Sequence, residues 1–369
     1  MVTMYTSFTA ENFRGFERFE IHNLKRINLL AGPNGSGKST LLEAMFIHSG
    51  AGILRLLPIV NSWRGFNRYL LNPTTPTSEP WSYFLYQLKT ENSVKLSGVY
   101  GDGISRSVLF QLVPDHSVQL GTQSEGESAR VLTIDPRIAT AVPLTKIQYT
   151  VTDGEGVKRY EMRFQNEQLA QSPEPEPRRI SSAHIGTHSV NLDSQMIQVF
   201  SKLRLEGQKD LLIRSLRLVA PELIDLEILK PADEDQIYAI RSNDNTVPLP
   251  LSLLGGGAVR IALIVLSCAL VRDSGTIFID EIENGLHHSI LPQFWQAIDE
   301  ASRLFNVQVF ATTHSIEIIQ AANQVFREEN ASDFGYFRMR RDAQGPTSVV
   351  AYRDEALEGS FEMNLEVRG

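Results

Sequence analysis

The stretch Gly32-Pro33-Asn34-Gly35-Ser36-Gly37-Lys38-Ser39-Thr40 constrains this chain more than any other. It fits the pattern G-x-x-x-x-G-K-[ST] and follows an apolar run, Ile27-Asn28-Leu29-Leu30-Ala31, that reads as a strand. Glycines let successive backbone N–H groups turn inward around phosphate oxygens, where a Cβ would obstruct them. A helix opening near Gly37 adds the positive end of its dipole. Lys38 is placed to reach the β- and γ-phosphates, and the Ser39 hydroxyl to ligate Mg²⁺. Asn34, Gly35, Ser36, Gly37, Lys38, Ser39 and Thr40 are therefore the expected nucleotide-binding residues. A strand, a glycine loop and a helix in this order also commit this part of the chain to an α/β fold.

Composition narrows the setting. In 369 residues, 42% are hydrophobic and 21% charged, enough for a large core. A net charge of −8 argues against a broad nucleic-acid surface, though not against a local basic groove. The lone Cys268 rules out an intramolecular disulfide framework and a cysteine-based zinc site, and its apolar surroundings suggest a buried thiol. The N-terminus lacks a charged-then-apolar leader pattern, and the longest apolar run, Ile261 to Val271, suits a buried helix rather than a membrane span. The expectation is a cytoplasmic protein with no membrane partner.

Strands are expected at Thr6–Ala10, Arg18–Ile21 and Arg26–Ala31, then a helix from Lys38 to about Phe46. Arg14, in the turn between the first two strands, either reaches the nucleotide or is an ordinary surface arginine. Residues 50–93 mix aromatic anchors with prolines and resist assignment. Val94–Tyr100, Ser105–Val113, Ile147–Asp153 and Val157–Phe164 read as antiparallel strands joined at Gly101-Asp102-Gly103 and Asp153-Gly154-Glu155-Gly156. A polar loop is expected at 114–143 and a stiff Pro/Glu linker at 172–177, followed by a short strand ending at His184. Helical periodicity covers roughly Asp193–Arg204 and Glu206–Ala220. Lys202, Arg204, Lys209, Arg214 and Arg217 make this the most basic stretch, either a solvated face or a surface for nucleic acid or a partner.

In the C-terminal third, the apolar run Ile277-Phe278-Ile279 ends in Asp280 and Glu281. A helix with Ile290, Leu291, Phe294, Trp295, Ile298 and Leu304 on one face follows, and then a strand, Val307 to Thr312, that ends in Thr313-His314-Ser315. Strand, helix and strand at this spacing form a parallel unit whose ligands bind at the strand carboxyl ends. Asp280 matches a Walker B aspartate that shares Mg²⁺ with Ser39. Glu281, one residue on, is placed to polarise the attacking water as general base, and His314 to sense the γ-phosphate.

These motifs and their order resemble the ABC-type ATPase heads of the SMC, RecF and OLD (overcoming lysogenization defect) group. Within it the chain is most similar to stand-alone OLD-like ATPases of the AAA-15/AAA-21 type. The resemblance rests on Asn12-Phe13-Arg14, the phosphate loop, Asp280-Glu281-Ile282-Glu283-Asn284-Gly285-Leu286-His287, Ala311-Thr312-Thr313-His314-Ser315 and Glu366-Val367-Arg368-Gly369. It implies an ABC-type head with a mixed or parallel core sheet, a flanking antiparallel β-subdomain and a short helical insertion. The implied divisions are 1–184, 185–230 for the insertion, and 231–369. ATP and Mg²⁺ would be bound between two heads of a head-to-tail homodimer, with higher oligomers left open.

Each head would present its signature in trans, and the match here is Leu254-Gly255-Gly256-Gly257-Ala258-Val259-Arg260, with Gly255 where a serine is usual and Ser252 nearby. No glutamine stands at the expected glutamine loop, for which His184 is the substitute. Both departures fit a slow switch better than a motor. The insertion is too short for long coiled-coil arms, and too little chain follows His314 for the TOPRIM nuclease of OLD proteins. The resemblance extends to ATPase subunits of PARIS, Septu and retron-associated antiviral systems. That implies a separately encoded effector nuclease or toxin and a DNA or phage-protein trigger. A RecF-like DNA-repair ATPase is the alternative, and a nucleotide scaffold without turnover a third.

Overall fold

The computed structural model describes residues 4–66, 81–114, 145–165, 168–171, 180–187, 192–231, 233–242, 247–328, 333–341 and 345–352. Most of the loop expected at 114–143, the linker at 172–177 and the terminal Glu366–Gly369 lie outside them.

The central layer is a six-stranded sheet. It contains β3 (Ile27–Ala31), β9 (Ser182–Ile185), β13 (Thr276–Ile279), β14 (Gln308–Thr313), β15 (Phe334–Arg341) and β16 (Thr347–Tyr352), in the spatial order β16-β15-β3-β14-β13-β9. All neighbours are parallel except the β15–β16 pair. The phosphate-loop strand β3 thus pairs with β14 through Val309↔Ile27, although the two are far apart in the chain.

Both faces of this sheet are buried, which is why its strands read as unbroken apolar runs. Ile27, Leu29, Ile277, Ile279, Val309 and Ala311 face one core, while Leu30, Phe278, Phe310 and Phe337 face the other. The first core is covered by α3 (Ser194–Leu205), α4 (Asp210–Leu216), α5 (Gly256–Leu270), α6 (Leu291–Leu304) and α7 (Ile316–Glu328). Helix α5 takes up the long apolar run, and burial pushes the Cys268 thiol within it up to about 12.

The second core lies under α1 (Lys38–Ser49), α2 (Leu56–Ser62) and a seven-stranded antiparallel sheet. That sheet comprises β1 (Tyr5–Phe13), β2 (Phe16–His22), β4 (Ser93–Tyr100), β5 (Ser105–Pro114), β6 (Thr145–Asp153), β7 (Gly156–Gln165) and β8 (Gln168–Gln171), in the order β2-β1-β4-β5-β6-β7-β8. The expected hairpins are present: Gly103 N–H donates to Tyr100 O, and Glu155 N–H to the Asp153 carboxylate.

The helices after β9 are also as expected, with Asp193 capping α3 by accepting from Met196 N–H. Three of their five basic residues have partners: Lys209 pairs with Asp225 at 2.7 Å, Arg214 with Glu300, and Arg217 donates to the carbonyls of Leu223 and Ile224. Lys202 and Arg204 are exposed on α3. Around residue 230, where the insertion was expected to end, lies an antiparallel sheet of β10 (Leu223–Leu229), β11 (Gln236–Arg241) and β12 (Leu249–Pro250). Short strands with mixed polarity left no period for sequence reasoning to detect.

Gln308 ties the two sheets together. Its fully buried amide accepts from Tyr5 N–H at 2.7 Å and donates to Tyr5 O at 2.9 Å and Lys25 O at 2.7 Å. Gln308→Ala strands these partners in the interior, so urea unfolding should show a loss of about 3 kcal/mol. A variant within 0.5 kcal/mol of wild type (roughly the surface-substitution range) would refute the strut.

Candidate nucleotide site

The loop between β3 and α1 folds as a phosphate cradle because its glycines are needed where they stand. Gly35 and Gly37 have φ of 79° and 95°, and a Cβ on Gly32 would lie 2.3 Å from Met339 O on β15. A Cβ on Gly37 would lie 2.6 Å from the Phe16 ring. Ser36 Oγ is buried without a hydrogen-bond partner, and the N-terminus of α1 has no side-chain cap. These orphaned donors are what an anion would satisfy. Asn34 and Gly35 are exposed, while Thr40 is half-buried at the start of α1.

Lys38 Nζ donates to Gly32 O at 2.8 Å and Pro33 O at 3.0 Å, so its ammonium is held across the loop. Burial lowers it to about 8, against the opposing pull of Asp280, Glu281 and Glu283. Ser39 Oγ lies 3.1 Å from Asp280 Oδ1, joining the two motifs across the sheet. A hydroxyl and a carboxylate are hard oxygen donors suited to Mg²⁺.

Asp280 is fixed from the other side by Thr312. The Thr312 hydroxyl donates to Asp280 Oδ1 at 2.5 Å and accepts from Glu281 N–H at 2.9 Å. Glu281 itself has a φ of 50°, unusual for a residue with a Cβ and a mark of local strain. His314 is half-buried just past β14, and its N–H donates to Glu283 Oε1 at 2.9 Å. Asp280, Glu281 and His314 therefore gather at the carboxyl ends of β13 and β14, beside Lys38 and Ser39.

Arg260 is a contributor whose role here was not foreseen. From α5 it donates to Gly186 O at 2.8 Å, Asp280 O at 2.5 Å and Glu281 O at 2.9 Å. Burial lowers its guanidinium to about 10 against the same three carboxylates. It pins α5 to the turn after β13, a contact that only the fold brings about.

Two expected residues stand differently. Arg14 is neither a surface arginine nor turned to the loop. Its guanidinium is buried against Glu43 of α1 at 2.8 Å, donates to Asn61 at 3.2 Å and stacks over Phe13 and Phe84. Glu43 is paired from its other oxygen by Arg64 at 2.6 Å, so the carboxylate is held between two arginines. His184 does lie near Asp280, but its ring stacks on Trp63 with centroids 3.8 Å apart. Burial lowers it to about 4, so it is neutral at physiological pH. Gly255 and Gly256 are exposed at the start of α5, with open space where their Cβ atoms would be. Gly257 instead packs on Gly285, where a Cβ would come within 2.6 Å of its carbonyl oxygen.

This constellation on a parallel sheet flanked by an antiparallel one has the arrangement of a P-loop ATPase-type fold. Family models agree at both ends. "AAA domain, putative AbiEii toxin, Type IV TA system" matches residues 171–320, and a second AAA-domain family matches residues 7–48. An ATP/GTP phosphatase of Helicobacter pylori is 25% identical over 389 aligned residues, spanning 97% of this chain and 98% of its own. The uncharacterized protein MJECL11 of Methanocaldococcus jannaschii is 30% identical over 118 residues, covering 31% of this chain and 99% of its own. Among solved structures, the SMC head domain from Thermotoga maritima aligns with a TM-score of 0.43 at 14% identity, covering 95% of this chain and 99% of that one. Among the described residues, no helix is long and apolar enough to cross a membrane.

The depressed Lys38 value has a testable sign. The group is lowered from 10.5 in the unfolded chain to about 8 in the fold. The unfolded chain therefore holds this proton more tightly, and the unfavourable contribution to stability is relieved as pH rises from about 8 toward 10.5. Phosphate binding needs the charged form, so affinity for a fluorescent ATP analogue should fall above pH 8, by up to about tenfold per pH unit. Lys38→Arg should flatten this dependence, and an equally steep fall in that variant would assign it to another group.

Proposed function

We propose that the chain is an ATP-hydrolysing switch that closes as a head-to-tail homodimer around two nucleotides. The observation that carries this reading is the shared hold of Ser39 and Thr312 on Asp280 beside the buried Lys38. In this reading Asn34 through Thr40 wrap the phosphates with backbone N–H groups, and Lys38 neutralises charge on the β- and γ-oxygens. Ser39 and Asp280 would hold Mg²⁺, which supplies charge neutralisation on the same oxygens when bound. Glu281 accepts a proton from the attacking water, and His314 meets the γ-phosphate. His184, neutral and stacked, would accept or donate one hydrogen bond at the edge of the metal site rather than carry charge. Arg14 acts through Glu43 on α1 rather than on the nucleotide.

The dimer is supported by the start of α5. Gly255 and Gly256 leave its first N–H groups uncapped by any side chain and open to the surroundings. A helix of 15 residues with an accessible N-terminus suits a phosphate brought by a second copy. No hydroxyl stands at Gly255, which agrees with a slow turnover.

The biological reading is an antiviral-defence ATPase that restrains or releases a separately encoded nuclease or toxin. The description of the matching family, a putative AbiEii toxin of a type IV toxin–antitoxin system, supports it. Efficiency of plating of phage on cells carrying the gene with its neighbours tests this reading. No protection, and no toxicity released by any Lys38 or Glu281 variant, would reject it.

Lys38→Ala should abolish ATP binding in equilibrium titrations, and retained tight binding would remove the phosphate-loop assignment. Glu281→Gln should cut kcat by about 10²- to 10⁴-fold and accumulate an ATP-bound dimer in light scattering with size exclusion. A variant that stays monomeric at saturating ATP contradicts the sandwich.

A further inference from the structure

The turn after β13 and the turn after β14 are joined by more than Thr312. Ile282 N–H donates to Thr312 O at 3.0 Å, Glu281 N–H to Thr312 Oγ1 at 2.9 Å, and the last link is Glu283. One oxygen of Glu283, Oε1, accepts from both His314 N–H at 2.9 Å and Ser315 N–H at 3.1 Å. These N–H groups begin the turn into α7, where Ser315 Oγ in turn accepts from Ile318 N–H at 3.2 Å. A carboxylate at a helix N-terminus is favoured by the dipole, and two convergent N–H donors hold it in one orientation. The second oxygen, Oε2, is buried with no hydrogen-bond partner. A carboxylate engaged through a single oxygen on backbone donors is not explained by solvation or by an ion pair of its own.

We infer that Glu283 is a positioning residue that locks the His314 backbone to the Asp280–Glu281 turn, so that γ-phosphate sensing and water activation move as one rigid unit. The inference rests on the hydrolytic reading above for the roles of Glu281 and His314. Its geometric content is that reach matters and charge does not: an acceptor must stand at the Oε1 position. Loss of that acceptor frees His314 while the hydrogen bonds of Lys38 to Gly32 and Pro33 and of Ser39 to Asp280, none of which involves Glu283, stay in place. Binding of ATP is then kept while the chemical step suffers.

Three substitutions separate the possibilities. Glu283→Gln keeps the length and an acceptor oxygen without the charge. Glu283→Asp keeps the charge but draws the oxygens back by one methylene, and Glu283→Ala removes both. The expected result is a fall in kcat of about 10- to 100-fold for Asp and Ala, the scale of a small misplacement of catalytic groups. ATP affinity should stay within about twofold, below the tenfold that a unit pKa shift represents, and Gln should restore kcat to near wild type. If the alanine variant does not fold, the Asp and Gln pair still decides.

A second readout does not need turnover. With ¹³Cε1-labelled histidine, the His314 resonance, assigned by its absence in His314→Asn, should shift or broaden in Asp and Ala but not in Gln. Asp behaving as wild type, or Gln as damaged as Ala, overturns the inference, and so does an unchanged His314 resonance in all three. If wild-type protein itself fails to hydrolyse ATP, the hydrolytic reading falls, while the resonance still tests the Glu283 link on its own.

Discussion

The structure depends on one oxygen. Asp280 Oδ1 is approached by Ser39 Oγ from the phosphate-loop helix and by Thr312 Oγ1 from β14. β14 lies between β3 and β13 in the sheet, so the two nucleotide motifs are not on adjacent strands. Ser39 nonetheless reaches Asp280 directly at 3.1 Å, and a side chain at the end of the intervening strand holds the same oxygen. Thr312 does so with a hydroxyl that donates to Asp280 and accepts from Glu281 N–H. This holds the strained backbone of Glu281 while fixing the Asp280 carboxylate.

Around that oxygen the charges are arranged to await a ligand. Asp280, Glu281 and Glu283 act together on Lys38 and Arg260, whose buried cations are lowered by the loss of water rather than by any repulsive partner. Each cation is steadied by carbonyl oxygens: Gly32 and Pro33 for Lys38, Gly186, Asp280 and Glu281 for Arg260. Arrangements of this kind cost folding stability and are retained where electrostatic preorganisation serves chemistry. A second cation pair, Arg14 and Arg64, flanks Glu43 on the far side of α1, and stiffens the helix that carries Lys38.

Much of the central sheet was legible because burial on both faces writes itself as apolar runs. Ile277-Phe278-Ile279 and Val307 through Ala311 could hardly be anything but buried strands, and β3 was marked by the glycine loop after it. The edges were less legible. β15 reads Phe-Gly-Tyr-Phe-Arg-Met-Arg-Arg, with Arg338 and Arg340 interrupting the run, yet it lies directly beside β3 and its Met339 carbonyl sets the space available to Gly32. The β10–β11–β12 sheet was hidden for the same reason: strands of two to seven residues carry too few repeats to reveal a period.

Sequence alone determined that residues 32–40 form a glycine loop between a strand and a helix, because the glycine spacing, the lysine and the apolar strand before them tolerate few alternatives. It determined likewise that Asp280, Glu281 and His314 end strands, since apolar runs stop at polar residues only where a sheet meets solvent or a ligand. What the tertiary structure decided is how they are joined. Only the strand order brings Thr312 and Ser39 onto the same oxygen of Asp280, and only the packing of α5 brings Arg260 onto the turn after β13. Arg14 shows the same limit from the other side: an arginine in a turn near a phosphate loop invites a ligand role, and the fold pairs it with Glu43 of α1. The partner of a charged side chain is set by distances in space, and spacing along the chain carries no record of them.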